Sequence, residues 1–434
     1  MNGRVFLGAS VLFLTTGLVV IPGLDPAKDK DGKKNVIQQE RVVAGGPKDF
    51  LEARHIVLKG SNEEIGRALA TIAKERYQLK ASPSADRFRT RVQRRYIEKN
   101  YPILFERMRG AAAAFGEKVD DDAWNFSGLW YYSGIKAGCS VVYYPPAMTA
   151  ESGGIISRNY DFTTGTIQGG RPPRGELPAT ARPYVVEMYP DRGYPSIALY
   201  SYDLLSGVMD GINSEGLTVT LLADDELMGK YEMEPAGTTA VGLGVVQMLR
   251  MLLDTCASVE EAKEALLTTK QYYELVSVHY LIADRHGKAF VWEYSQAHNR
   301  ENIIENPDKP LVTTNFSLHR HLDGKTPPSA KTAKQICPRY CELTERLAGR
   351  SDKLTADAIK DIHKAVDMVK PSPLAGLRPP TRTLWHALYF PEQRKVQISF
   401  YLRDETDADQ PGKVRIMRSE YVEFTLKKEK EFKD

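Results

Sequence analysis

The spacing of apolar positions along the chain changes near Gly138, and the change separates two kinds of predicted structure. Between Arg54 and Phe115 the spacing is helical. SNEEIGRALATIAKERYQL opens with Ser61 and, three residues on, Glu64, a capping box, and Ile65, Leu69, Ile72 and Ala73 then fall on one face. RFRTRVQRRYIEKNYPILFERMRGAAAAF continues the helical style. Its seven arginines between Arg87 and Arg109 read as a solvated face, because Glu98 and Glu106 interrupt them. After Gly138 come short β-type runs: SVVYY, GGIISRNYDF, RPYVVEMYP, PSIALYSY and GLTVTLL, separated by Gly, Pro and Asp turns. GVVQMLRMLLDTCASVEEAKEALLTTK reads as two helices, with a second capping box at Ser258 and Glu261. VSVHYLIADRHGKAFVWEY predicts a hairpin around His286-Gly287, and KPLVTTNF a further strand. ICPRYCELTERLA and TADAIKDIHKAVDMV are helical, and WHALYFPEQRKVQISFYL closes with a hairpin at Pro391 to Arg394. Strands, helices and strands again, without an internal repeat, predict two sheets with helices packed on them, an α+β fold.

The N-terminus breaks this pattern. Only Arg4 is charged before an uncharged run from Val5 to Leu24, which has no polar face and is long enough to span a bilayer. Residues 1–24 therefore read as an export signal or an uncleaved membrane anchor, and no clear small-x-small cleavage site decides between them. Either way the rest of the chain is expected outside the cytoplasmic membrane, periplasmic or extracellular. Residues 25–39, rich in Lys and Asp, read as a linker.

Composition narrows the function. In 434 residues, 42% hydrophobic content rules out a disordered chain. Lys plus Arg (59) nearly balance Asp plus Glu (56), so nothing calls for nucleic acid as a partner. Four cysteines exclude a disulfide scaffold. There is no Walker loop, dinucleotide fingerprint or H-E-x-x-H, and no cofactor is expected.

The candidate chemistry centres on Cys139 in KAGCSVVYYPP. A lone cysteine is usually a small buried hydrophobe, but this one follows Gly138 and opens a strand. A hairpin ending in SRNYDF would return Arg158 and Asp161 beside it. GCS, a hairpin and SRNYDF together resemble the cysteine N-terminal-nucleophile hydrolases. That superfamily includes the choloylglycine (bile-salt) hydrolases and penicillin V acylases, which are linear amide C–N hydrolases. It also includes the acyl-CoA:6-aminopenicillanic acid (isopenicillin N) acyltransferases. VLKGSNEEIGRALATIA, DGINSEGLTVT, LRMLLDTCASVEEAKEAL, ADRHGKAFVWE, VTTNF and TRTLWHALYFPEQRKVQISFYL resemble further family segments in family order, over roughly Arg54 to Arg403.

The resemblance implies a four-layer αββα sandwich. Residues 40–138 would form a helical pro-segment and residues 139–434 the catalytic domain, separated by self-cleavage between Gly138 and Cys139. Cys139 would then be the nucleophile and its freed α-amine the base, since an amine titrating near ~7.7–8.0 can take a proton from a thiol near ~8.5. The resemblance also assigns roles to four other residues. Arg158 would lower the thiol pKa and hold the thiolate, unless it merely pairs with Asp161. Asp161 would orient the new amine. Asn315 would offer a donor to an oxyanion or an acceptor to the amine, unless it only shapes a turn. Arg339 would be a second active-site arginine, unless it lies on a helix surface. One departure stands out: Leu222 and Ala223 occupy the stretch where the amide hydrolases often carry a second Asn for the oxyanion hole.

The expected reaction is hydrolysis of a small-molecule acyl amide through a thioester. Transfer of the acyl group to an amine is the alternative, and the helical pro-segment leans the architecture towards that branch. A catalytically degenerate membrane-tethered binding protein, and a lipase on the same fold, also fit. The tether would be residues 5–24. Asn213 is expected to shape a turn by adopting a left-handed conformation. The polar stretch from Thr163 to Thr180 reads as a lid or an insertion. Cys337 and Cys341, four apart on a helix, lack further ligands at zinc spacing. His319 and His321 read as surface, the acidic turn at Asp224, Asp225 and Glu226 is a weaker candidate for a cation, and no metal is expected.

Overall fold

In a computed structural model of the protein, the described residues are 36–131, 137–164, 181–225, 241–272, 277–295, 298–369, 380–406 and 414–427. The apolar run at residues 5–24, residues 25–35 of the expected linker, most of the expected lid and Glu226 lie outside them. No described helix is long and apolar enough to cross a membrane.

Two strands, β1 (Ile37–Ala44) and β2 (Ala53–Gly60), precede helices α1 (Asn62–Tyr77), α2 (Arg87–Asn100) and α3 (Pro102–Ala114). The hairpin β3 (Ala137–Tyr144) and β4 (Ile155–Thr163) follows, then β5 (Tyr184–Pro190), β6 (Ser196–Tyr200), β7 (Val208–Asn213) and β8 (Thr218–Ala223). Helices α4 (Val245–Thr255) and α5 (Val259–Thr268) lead to β9 (Val278–Ala283), β10 (Ala289–Ser295), β11 (Arg300–Ile304) and β12 (Leu311–Thr313). The chain ends with α6 (Ala330–Ala333), α7 (Pro338–Leu347), α8 (Ala356–Lys364), β13 (Thr381–Phe390), β14 (Lys395–Thr406), β15 (Val414–Arg418) and β16 (Val422–Thr425).

The strands form two sheets. One has nine strands in the order β1-β2-β5-β6-β7-β8-β9-β10-β11, and the other runs β12-β3-β4-β13-β14-β15, with β16 also on β14. Alternation along the strands of the large sheet sends Val57, Val185, Leu199, Leu281 and Val291 into a core shared with Val141, Ile156, Trp385 and Ile398 of the second sheet. The alternate residues, Ile56, Leu58, Val186, Ile282 and Phe290, pack under α1, α3, α4 and α5. Leu343 and Leu347 of α7 and Ile359 and Ile362 of α8 cover the second sheet, where α8 lies along β4 and α7 along β12. The layers are therefore α, β, β, α, as the sequence led us to expect.

The expected capping box is present. Ser61 N–H donates to Glu64 Oε2 at 2.8 Å and Glu64 N–H to Ser61 Oγ at 3.3 Å. α1 and α3 cross at two glycines. A Cβ on Gly66 would stand 2.0 Å from the Arg107 carbonyl oxygen, and one on Gly110 would stand 1.8 Å from that of Glu63. Only glycine permits so close an approach.

The segment before Cys139 is not wholly helical. β1 and β2 belong to the large sheet, and β2 pairs in parallel with β5 from Arg54↔Tyr184 to Gly60↔Pro190. β1 also begins inside the stretch read as a linker. Ile56, Val57 and Leu58 are covered on both faces, so the strand shows no polar alternation and runs straight into the capping box. Residues from Val36 onward form one unit, with no boundary at Gly138–Cys139.

The arginine-rich stretch is not uniformly solvated either. Arg107 is fully buried, and its Nη1 and Nη2 meet Asp254 of α4 at 2.7 and 3.0 Å. Arg250 Nη2 donates to the same carboxylate at 2.8 Å, and the Tyr101 hydroxyl also donates to it.

Candidate active site

The site grows from the register of one hairpin. β3 and β4 set Gly138 opposite Asp161, Cys139 opposite Tyr160 and Val141 opposite Arg158. Facing residues share a side of the sheet and successive residues alternate. Arg158 and Asp161, an odd number apart, therefore leave β4 on opposite sides. Arg158 turns towards the large sheet with Cys139, and Asp161 turns towards α7 and β13.

Arg158 is completely buried beside the equally buried Cys139. Its Nη2 lies 3.8 Å from Cys139 Sγ and donates to the Leu221 carbonyl at 2.8 Å. Its Nε is 2.7 Å from Asp210 Oδ2, an ion pair whose angle falls short of a hydrogen bond. The Tyr160 ring sits 4.9 Å from the guanidinium. Asp210, on β7, also accepts from the Tyr389 hydroxyl and, at 3.2 Å, from Trp385 Nε1. Arg158 thus pairs with Asp210 and not with Asp161.

Asp161 is held by Arg339, whose Nη1 donates to Asp161 Oδ2 at 2.8 Å, and by Thr383 Oγ1, which donates to Oδ1 at 2.6 Å. Arg339 Nη1 also donates to the Cys139 carbonyl at 2.8 Å, and its Nη2 to Asn315 Oδ1 at 2.6 Å. The Cys139 backbone N–H donates to that same Asn315 oxygen at 2.6 Å. Both partners of Oδ1 can only donate, which fixes the orientation of the Asn315 amide. Asn315 Nδ2 donates to the Ala223 carbonyl at 2.6 Å. β8 runs on to Ala223, past its last pairing with β7 at Thr220. The carbonyls of Leu221 and Ala223 in that overhang receive Arg158 and Asn315.

Burial dominates the electrostatics. It pushes the Cys139 thiol up, and the pull of Arg158 and Arg339 in the other direction does not cancel it. The lowered thiol pKa expected from Arg158 is therefore not what the continuous chain has, because the thiol is sealed from water. Burial also lifts Asp161 to about 6 despite Arg339 and Thr383.

The family model for acyl-coenzyme A:6-aminopenicillanic acid acyl-transferase matches residues 148–404, more than half of the chain. The chain belongs to this acyl-transferase family. It is thereby an enzyme of acyl-transferase type. The family match includes Arg158, Asp161, Asn315 and Arg339, and begins after Cys139. Among solved structures, a mutant conjugated bile acid hydrolase from Clostridium perfringens is similar at 14% identity and a TM-score of 0.40, over 67% of this chain and 97% of that one. Penicillin V acylase from Agrobacterium tumefaciens is similar at 15% identity and a TM-score of 0.35, over 67% and 80%. The Caenorhabditis elegans ortholog of N-acylethanolamine-hydrolyzing acid amidase is similar at 17% identity and a TM-score of 0.38, over 58% and 93%. No curated protein matches significantly.

In this member of the acyl-transferase family the hairpin, Asn315 and Arg339 meet at one point, and other candidates are engaged elsewhere. Cys337 Sγ accepts from Thr314 Oγ1 at 3.2 Å, and Cys341 Sγ donates to the Ala330 carbonyl at 3.5 Å. His319 is bound by Glu293 rather than free on the surface, with Nδ1 2.7 Å from Oε2. In the acidic turn, Asp225 accepts from Ser317 N–H at 3.0 Å and Asp224 accepts from the Ser277 hydroxyl. Among the described residues no group of three or more His, Cys, Asp or Glu side chains is placed to hold a metal. Asn213 shapes its turn by accepting from Glu215 and Leu217 N–H at 3.0 Å each, while the left-handed residue is Gly216 at φ +82°. Sequence reasoning missed Asp210, Thr383, His279 and Glu293. For Asp210, His279 and Glu293 the local signal was a polar residue in an otherwise apolar, buried strand, and Thr383, in the polar start of β13, carried none.

Proposed function

We propose that the chain is a self-processing cysteine amidase with Cys139 as its nucleophile, cleaving a linear amide bond of a small acylated substrate. One observation carries this reading. The polar groups of the site converge on the backbone of Cys139 itself. Asn315 accepts its N–H at 2.6 Å, Arg339 grips its carbonyl at 2.8 Å, and Asp161 lies against Gly138 across the hairpin. That is the environment wanted by a residue whose nitrogen is to become a catalytic amine.

In self-processing, Cys139 Sγ attacks the Gly138 carbonyl carbon. The C–N bond breaks, the thiol proton passes to the departing nitrogen to make it an amine, and water hydrolyses the thioester to free the thiol and a Gly138 carboxylate. In turnover the amine takes the thiol proton while sulfur attacks the substrate carbonyl, then returns a proton to the leaving amine. Asn315 Oδ1 is placed to hold that amine, and the Arg158 charge favours the thiolate once water and substrate reach it. Asp161, engaged by Arg339 and Thr383, acts on the amine through Arg339 and Asn315.

Water as acceptor makes the chain a hydrolase, and an amine makes it an acyltransferase. The uncharged run from Val5 to Leu24 supports export, with the activity outside the cytoplasmic membrane. The test is amine release from a panel of N-acyl amides by the wild-type chain and by Cys139→Ala. Release by the wild type alone supports the reading, and added hydroxylamine should divert the acyl group to a hydroxamate. Equal release by both proteins overturns it, and binding without release by either favours the degenerate binding protein.

A further inference from the structure

We infer that His279 and Glu293 position Asn315, with His279 acting as a buried imidazolium that pins the peptide preceding it. The inference rests on the proposed role of Asn315 at the Cys139 nitrogen. On the large sheet, His279 of β9 stands opposite Leu222 of β8 and opposite Glu293 of β10, facing the second sheet. It is fully buried. Its Nδ1 is 2.9 Å from Glu293 Oε1, and its Nε2 is 2.6 Å from the Thr314 carbonyl oxygen, with Thr313 Oγ1 farther off at 3.4 Å.

Both ring nitrogens therefore face an acceptor. A carbonyl oxygen has no proton to give. Glu293 already accepts Leu318 N–H at 2.8 Å on Oε1 and His319 N–H at 2.9 Å on Oε2, as an ionised carboxylate does. A neutral imidazole has one donor and one lone pair, so it would set a lone pair against one of these oxygens. Only the doubly protonated ring satisfies both. Two acidic groups face it, Glu293 from β10 and Asp224 from the end of β8, and together with the Thr314 carbonyl they outweigh burial and raise its pKa.

The consequence falls on Asn315. His279 holds the Thr314 carbonyl, Asp225 holds Ser317 N–H at 3.0 Å, and Glu293 holds the next two N–H groups. The segment from Thr314 to His319 is clamped at both ends, and Asn315 projects from it to the Cys139 nitrogen. Leu222 lies beside His279 in the ladder. A buried ion pair thus holds the segment that carries Asn315 in place.

The test uses the full-length chain labelled with ring-15N histidine and side-chain-15N asparagine. At pH 7 both nitrogens of His279, assigned by comparison with His279→Gln, should resonate as an imidazolium. A neutral tautomer there overturns the inference. In Glu293→Gln the side-chain amide resonance of Asn315 should shift, self-cleavage and kcat should fall roughly ten- to a hundredfold, the effect of a displacement near 1 Å, and KM should stay within about twofold. The alkaline limb of the pH profile should also move to lower pH. An unshifted Asn315 resonance, or a variant with wild-type rates, overturns the positioning role. If the wild-type chain neither cleaves itself nor turns over, the proposed function fails by itself, and the two resonances still decide the inference.

Discussion

Arg107→Met and Asp254→Leu should destabilise the protein by unequal amounts, and the order follows from which charges are left behind. Arg107, Arg250 and Asp254 are all fully buried. Removing one partner of a buried ion pair costs about 3–5 kcal/mol, because the other charge stays desolvated. In Arg107→Met, Asp254 keeps Arg250 at 2.8 Å and the Tyr101 hydroxyl, so the loss belongs at the lower end, about 3 kcal/mol. In Asp254→Leu two cations remain with no counter-charge. Arg107 retains only Asn62 Oδ1 at 2.9 Å, and Arg250 retains Ser196 Oγ at 2.8 Å and the Tyr200 hydroxyl at 3.4 Å. That loss should reach about 5 kcal/mol. Urea unfolding at pH 7 in a Cys139→Ala background, where the chain stays whole, measures both. A loss under about 1 kcal/mol for either variant, or the reverse order, would refute the reasoning. The pair also spans the proposed cut, with Arg107 before it and Asp254 after. In the processed protein, Arg107→Met should therefore weaken the association of the fragments roughly a hundredfold, seen as separation on gel filtration after dilution.

Asp210→Asn leaves Arg158 buried without its counter-charge. It should lower stability by about 3 kcal/mol and slow self-cleavage, as read by thermal unfolding and a time course on denaturing gels. Gly138→Ala puts a Cβ 3.2 Å from Asp161 Cβ and 3.3 Å from its Oδ2, crowding the carboxylate against Arg339. Uncut chain should accumulate on the same gels with little change in melting temperature. Glu293 is held at about 2 against an ordinary 4.5, chiefly by His279 and His319 acting against burial. Its contribution, about 3 kcal/mol, is present above pH 4.5 and lost as pH falls towards 2, so Glu293→Gln should flatten acid unfolding across that window. Asp161 has the opposite sign. Its folded pKa of about 6 lies above the ordinary 3.8, so its contribution is full below 3.8 and lost as pH rises through 6. Asp161→Asn should remove that decline between pH 4 and 6 in a stability titration.

Local pattern carried much of the architecture. The β3–β4 hairpin, the capping box at Ser61, the turn at Gly287 and the closing hairpin are written in contiguous residues, and the structure has them. The β2 strand was read as helix, because a strand covered on both faces shows no alternation. Pairings between residues far apart in the chain left no local trace. Arg107 finds Asp254 and Arg158 finds Asp210 only through the stacking of layers. His279 and Glu293 meet because the β9–β10 register sets them side by side. Arg339 touches Asp161, Asn315 and the Cys139 carbonyl, partners that no spacing in the sequence links to it. Its helix is placed by burial of Tyr340, Leu343 and Leu347, which turns the start of α7 towards the hairpin.

Intact-mass spectrometry with N-terminal sequencing of the purified protein tests the central claim most directly. The account predicts two fragments in equal amounts, the second beginning Cys-Ser-Val-Val. A single chain continuous through Gly138–Cys139 after days at neutral pH would contradict it.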